Sequence, residues 1–193
     1  MLINPLFHDR KEAGQVLARE LKSQLIYPNP LVLALPRGGV PVAFEIAQAL
    51  PADLDIFLVR KIGVPGHEEL AMGAIASGGT RVHQSLIAQL GISSSVIEQV
   101  TTREQREIER GEWLYRAGHS GLPIKGRIVI LVDDGLATGA SMLAAARAVR
   151  AQQPKRIIVA VPVASREACE EFRQHVDEVV CVHTPEPFFA VGV

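Results

Sequence analysis

The chain has 193 residues, 48% of them hydrophobic and 21% charged, with a formal net charge of -1. It is long enough for one α/β domain with a full core, and its near-neutral balance gives no reason to expect a nucleic-acid or membrane surface. No apolar run reaches membrane-spanning length, and residues 1–10 carry no basic stretch leading into an apolar one, as a secretory leader would. The two cysteines, Cys169 and Cys181, fall in no metal or redox spacing, so a cytoplasmic protein is expected.

Residues 1–9 read as an extended arm in which Asp9 can cap a helix. From Arg10 to Leu25 the apolar positions Ala13, Val16, Leu17, Leu21 and Leu25 recur at helical spacing, and Pro28 and Pro30 end the pattern. Leu31–Leu35 is a buried strand that runs into Pro36-Arg37-Gly38-Gly39. Residues 40–50 then read as a helix with Pro41 in its first turn. Strand, Gly-Gly turn and helix start together make an anion site, because glycines let backbone approach oxygens and Arg37 adds a charged fork. The same four residues are also compatible with a plain tight turn.

Asp55–Arg60 is expected as a third strand with Lys61 after it. The Arg60-Lys61 pair is either ordinary solvated charge or part of the same anion site. Gly63–Glu69 has loop chemistry, with Glu68 and Glu69 read first as exposed charge and second as contacts to an amine. Ala71–Ser77 is a strand, and Gly78-Gly79 turns it into a hairpin with residues 80–83 at the sheet edge. Ser93–Ser95 cap a helix over about 96–116, whose Arg103/Glu107 and Glu112/Arg116 pairs suggest a solvated face. Trp113 and Tyr115 near its end are expected to pack rather than to stack on a base.

Residues 118–125 form a loop into Ile128–Val132, an apolar run with four β-branched residues. Such a run reads as a strand buried on both faces, usually in a parallel sheet. Asp133 and Asp134 stand where it ends. Gly135, Leu136, Ala137, Thr138, Gly139, Ala140 and Ser141 follow, and a helix runs on from Ser141 to about Ala151. At the carboxyl end of a parallel strand these residues line a crevice. Gly139 permits close approach, the N–H groups of the helix start and the hydroxyls of Thr138 and Ser141 suit a phosphate, and a carboxylate suits a ribose diol. A P-loop would need a lysine in this loop, and a dinucleotide site would need three spaced glycines. A Walker B strand and a receiver-type acidic pocket are the remaining rivals. Further strands at 156–161 and 179–182 flank a helix at 166–174. Strand and helix alternate, as in a doubly wound, mainly parallel sheet flanked by helices.

The stretch 128–141 resembles the phosphoribosyl-diphosphate (PRPP) signature of type I phosphoribosyltransferases: an apolar strand, an acidic pair, then Thr-Gly-x-Ser/Thr. Pro36–Gly39 match the pyrophosphate loop of that family in order and context. The Arg-Gly-Gly-Val-Pro run is close to uncharacterised phosphoribosyltransferase-like proteins of bacteria. The resemblance covers about residues 31–184 and implies a single domain over 1–193, with a small hood expected from 1–30 and 184–193. It implies transfer of ribose 5-phosphate from PRPP to a nitrogenous base, with a homodimer left open. Asp133 and Asp134 would hold the ribose, residues 135–141 the 5′-phosphate, and Arg37, Arg60 and Lys61 the pyrophosphate. Residues 63–69 would be a lid. Mg2+ would be carried by the diphosphate and ribose oxygens, with no metal assigned to protein side chains. Ala137 stands where 6-oxopurine enzymes usually carry an aspartate, and Leu-Ala-Thr-Gly is nearer the adenine enzymes. Phe188 and Phe189 are either base-stacking or core residues. The alternatives are a non-catalytic PRPP or nucleotide sensor, and a phosphosugar hydrolase.

Overall fold

The computed structural model describes residues 6–24, 29–83, 91–137, 139–186 and 188. The core is a five-stranded parallel sheet in the order β2-β1-β6-β7-β8: Asp53–Ile56, Leu31–Ala34, Ile128–Val132, Arg156–Val163 and Glu178–His183. Each strand of the central trio is buried on both faces, as near-continuous apolar runs require. One face, with Val32, Ala34, Ile130, Val132 and Ile158, packs under α1 (Arg10–Gln24) and α2 (Gly39–Ala49). The other, with Leu33, Leu131, Val159 and Val161, packs under α4 (Ala140–Ala151) and α5 (Arg166–Phe172). The doubly wound reading holds.

The chain visits β1 and then the edge strand β2, and on its return lays β6 on the other side of β1. The order therefore reverses between β1 and β6, and in open α/β sheets the ligand crevice lies at that reversal.

Several expectations are corrected. Asp55–Arg60 is not one strand. Phe57 makes the last parallel bond, to the Ala34 carbonyl at 2.8 Å, and Leu58 is then paired both ways with Ser77. Chain and direction thus change sheets within two residues. The run beyond is β3 (Val59–Val64), which forms an antiparallel sheet with β4 (His67–Ala76) and β5 (Thr80–His83). The expected edge hairpin is thus part of a separate small sheet, a hood built from the middle of the chain, while α1 belongs to the core layer. The expected lid loop is the tip of the β3–β4 hairpin, turning at Pro65-Gly66. The backbone of Glu68 and Glu69 lies in β4; their side chains are outside the described residues.

The helix α3 (Ser94–Arg116) starts on Ser93, whose side chain accepts from the Val96 N–H, and its Ile108 closes a second core with Ile62, Met72 and Ile75. Its polar face also differs from expectation. Arg103 pairs with Glu104 and not with Glu107. Glu112 and Arg116 do pair, at 2.8 Å, but against the protein, because Arg116 also reaches Asp55. Trp113 does not pack: it is 67% exposed, and Leu114 and Tyr115 are exposed beside it.

Candidate active site

The loops after β1 and β6 meet at the reversal. Leu35 N–H donates to the Val132 carbonyl at 2.8 Å, extending the ladder one residue beyond β1. The Pro36–Arg37 peptide is cis. A Cβ on Gly39 would stand 2.6 Å from the Val132 carbonyl oxygen and 2.9 Å from Asp133 Cα, and one on Gly38 would overlap the Asp134 carboxylate. Glycine at 39 lets the two loops close backbone to backbone, and glycine at 38 leaves the Asp134 carboxylate in its place. Arg37 is exposed at the rim.

Asp133 and Asp134 are half-buried where β6 ends, and so is Gly135 after them. Asp133 Oδ1 accepts from the Asp134 N–H at 2.8 Å. Burial pushes the Asp133 carboxyl up from its usual range to about 7; the Asp134 N–H pulls it down, and the charge of Asp134 adds to the rise. Asp134 is bound by Arg10, whose Nε lies 2.8 Å and Nη2 2.7 Å from Oδ2. No sequence pattern could have shown this partner, which stands 124 residues away.

The loop between β6 and α4 is anchored by Leu136. Its side chain is buried, its N–H donates to the Val163 carbonyl at 2.9 Å, and its carbonyl accepts from Ser165 N–H. Leu136 thus holds the loop from beneath and, against the expectation, has no N–H left for a ligand. Gly139 has φ +68, the left-handed region, and a Cβ there would overlap the Phe172 ring of α5. Ala137, Ala140 and Ser141 are exposed around it. Thr138 lies outside the described residues.

Helix starts separate into two kinds. Ser93 and Ser165 cap α3 and α5 with side-chain bonds. The starts of α2 and α4, both at the crevice, have glycine at the cap and no side-chain bond. At α2 the Gly39 and Val40 N–H groups are taken by the Leu35 and Arg37 carbonyls, so it is the start of α4 that offers N–H groups to a ligand, which suits an anion.

Arg60 and Lys61 do not stand at a core strand end. Both are exposed on β3, and Arg60 Nε is bound 2.6 Å from Glu104 of α3. The structure does not bring them to the acidic pair by any bond. Phe188 is half-buried, and Phe189 is outside the described residues. Among the described residues no three His, Cys, Asp or Glu side chains form a metal cluster, and no helix is long and apolar enough to cross a membrane.

Residues 8–193 match the family model of the phosphoribosyl transferase domain. A protein of Mycobacterium tuberculosis, provisionally named a phosphoribosyl transferase, is 43% identical over 188 residues. That match takes in 97% of this chain and 42% of the relative, so the chain spans about two fifths of the length of the curated relatives it matches. Among solved structures, the protein TT1426 of Thermus thermophilus is 44% identical with a TM-score of 0.84, covering 96% of this chain and 88% of that one. A purine phosphoribosyltransferase of Pyrococcus horikoshii is 14% identical with a TM-score of 0.51, over 94% and 92% of the two chains; it shares the fold.

Proposed function

This chain belongs to the phosphoribosyl transferase domain family, and on that premise we propose that it moves ribose 5-phosphate from PRPP to a ring nitrogen of a base, releasing pyrophosphate. The single observation that carries the reading is the closure of two glycine-bearing loops on an acidic pair at the strand-order reversal. The pair would accept the ribose hydroxyls. The uncapped start of α4, with Thr138 and Ser141, would take the 5′-phosphate, and Pro36–Gly39 with Arg37 the diphosphate. Lys61 and Arg60 would join through the hairpin β3–β4, closing from the side and excluding water.

In the transfer, the C1–oxygen bond to the diphosphate breaks and its electron pair leaves on the diphosphate oxygen. The bond from the base nitrogen to C1 forms, and the proton of that nitrogen is released. C1 gains positive charge on the way, and a nearby carboxylate favours it by placement and electrostatics. Asp133, poised near neutrality, can serve the ribose either as donor or as acceptor. Mg2+ fits this donor set: one or two carboxylates beside substrate oxygens is how that ion is usually held, and when bound it neutralises the diphosphate. The acceptor class stays with the resemblance of Leu-Ala-Thr-Gly to adenine enzymes, and the homodimer and cytoplasmic location belong to the same proposal.

The test is pyrophosphate release from PRPP and Mg2+ over a panel of purine and pyrimidine bases, with PRPP binding followed by calorimetry. Release with one base, abolished by chelation and weakened in Asp134→Asn and Thr138→Ala, is the expected result. Binding with no release for any base would replace the transferase by a sensor. Undiminished PRPP binding in both variants would remove the site assignment.

A further inference from the structure

We infer that Arg10, the first residue of α1, is a positioning residue of this site, fixing the orientation of Asp134 toward the sugar diol. The inference rests on the phosphosugar reading above. A carboxylate turns easily about its last torsion, a broad sp3–sp2 rotor, so an acceptor that must meet a diol needs something to hold it. Arg10 does this through two nitrogens on one oxygen, Nε at 2.8 Å and Nη2 at 2.7 Å from Oδ2. The carboxylate also lies against Gly38, where even a methyl group would overlap it. Both of Arg10's bonds go to Oδ2, so a hydroxyl can approach the other oxygen without displacing the guanidinium.

Charge points the same way. Two adjacent carboxyls resist ionising together, and the charged groups that act on Asp133 are Asp134 and Arg10. The Arg10 guanidinium bonded to Asp134 places a positive charge beside the pair, which offsets the crowding of two carboxyls.

The first turn of α1 is built to deliver Arg10 rigidly. Asp9 Oδ1 accepts from the Glu12 N–H at 2.8 Å, and Glu12 in turn accepts from the His8 N–H at 2.6 Å. This is close to a reciprocal capping box. One turn on, Gly14 lies so near α2 that a Cβ would stand 2.9 Å from the Val42 carbonyl oxygen. Before the helix, the Phe7 ring sits 5.4 Å from the His183 ring at the end of β8. Residues 7–10 thus strap the carboxyl edge of the sheet from β8 to β6.

The experiment is PRPP binding by calorimetry for wild type, R10Q, R10K, D134N and R10Q/D134N. Arg10 is 57% exposed in its side chain, so these changes leave the core untouched. R10Q should weaken binding about tenfold, and R10K should fall between, since it keeps the charge and loses the fork. In the D134N background R10Q should add less than about twofold, because its action runs through Asp134. Unchanged or tighter binding by R10Q, or the same tenfold loss without the Asp134 charge, would overturn the inference while the phosphosugar site stood. If wild type itself bound no PRPP, the proposed function would fall, and this inference with it.

Discussion

Asp133 and Asp134 are neighbours in the chain with opposite circumstances. Asp134 meets a guanidinium; Asp133 meets an apolar strand end and another carboxylate, and its pKa is raised from 3.8 to about 7. A carboxyl raised on folding binds its proton more readily in the native state, so between those two values stability falls as pH rises, and above about 7 the full cost is present. Asp133→Asn removes the charge while its Oδ1 can still accept the Asp134 N–H. The variant should gain melting temperature over the wild type, by more at pH 8 than at pH 5, and lose PRPP affinity. Equal gains at both pH values would show that burial of the Asp133 charge is not what costs stability. The residue types of this pair were legible in the sequence because an apolar strand rarely ends in two carboxylates by packing alone. The division of labour between them was not, because it depends on Arg10, and nothing local ties residue 10 to residue 134.

At the scale of elements, the sequence read well wherever burial was two-sided and poorly where a strand changed sheets. β1, β6 and β7 are apolar on both faces and announced themselves as core strands. Residues 55–60 are also mostly apolar, yet the pairing of Leu58 with Ser77 diverts the chain, and apolar character alone does not encode which sheet receives it. The consequence falls on Arg60. Its place in the sequence suggests a core strand end, but it is bound to Glu104, a buried carboxylate whose other oxygen accepts from Arg103 at 2.9 Å. Burial pushes the Glu104 carboxyl up, but the bonds from Arg60 and Arg103 outweigh it and hold its pKa below 4.5. A depressed carboxyl contributes stability that is present above the unfolded value and lost as pH falls through the folded one. Glu104→Gln should therefore cost about 1–2 kcal/mol at pH 7, discounted for the exposure of both arginines, and progressively less below about pH 4. Urea unfolding at pH 7 and pH 3 would read it, and a pH-independent loss would mean that Glu104 acts by shape alone.

Across the whole molecule, one arrangement makes the site possible: an open sheet whose reversal point is exposed to ligand while its β2 edge is sealed. The seal is Arg116. Its Nε lies 2.8 Å from Asp55 Oδ1, its Nη1 2.8 Å from Glu112, and its Nη2 donates to the Ile56 carbonyl at 3.0 Å, an edge-strand acceptor with no neighbouring strand. Asp55 also accepts from the Leu122 N–H at 2.9 Å, so one ion pair joins the edge strand, the end of α3 and the loop that leads into β6. The side chains of Arg116 and Asp55 are only 12% and 9% exposed. Removing one member of a buried pair leaves an uncompensated charge, which is worse than having no pair. Arg116→Met should therefore lower unfolding free energy by about 3 kcal/mol, and the double variant Asp55→Asn/Arg116→Met should lose less than the single one. If the single variant unfolded with the wild type, the edge would be held by the apolar contacts of α3 alone. If the double variant lost more, the hydrogen bonds that Asp55 accepts from the Ile56 and Leu122 N–H groups would outweigh its charge, and the seal would be a turn-forming device.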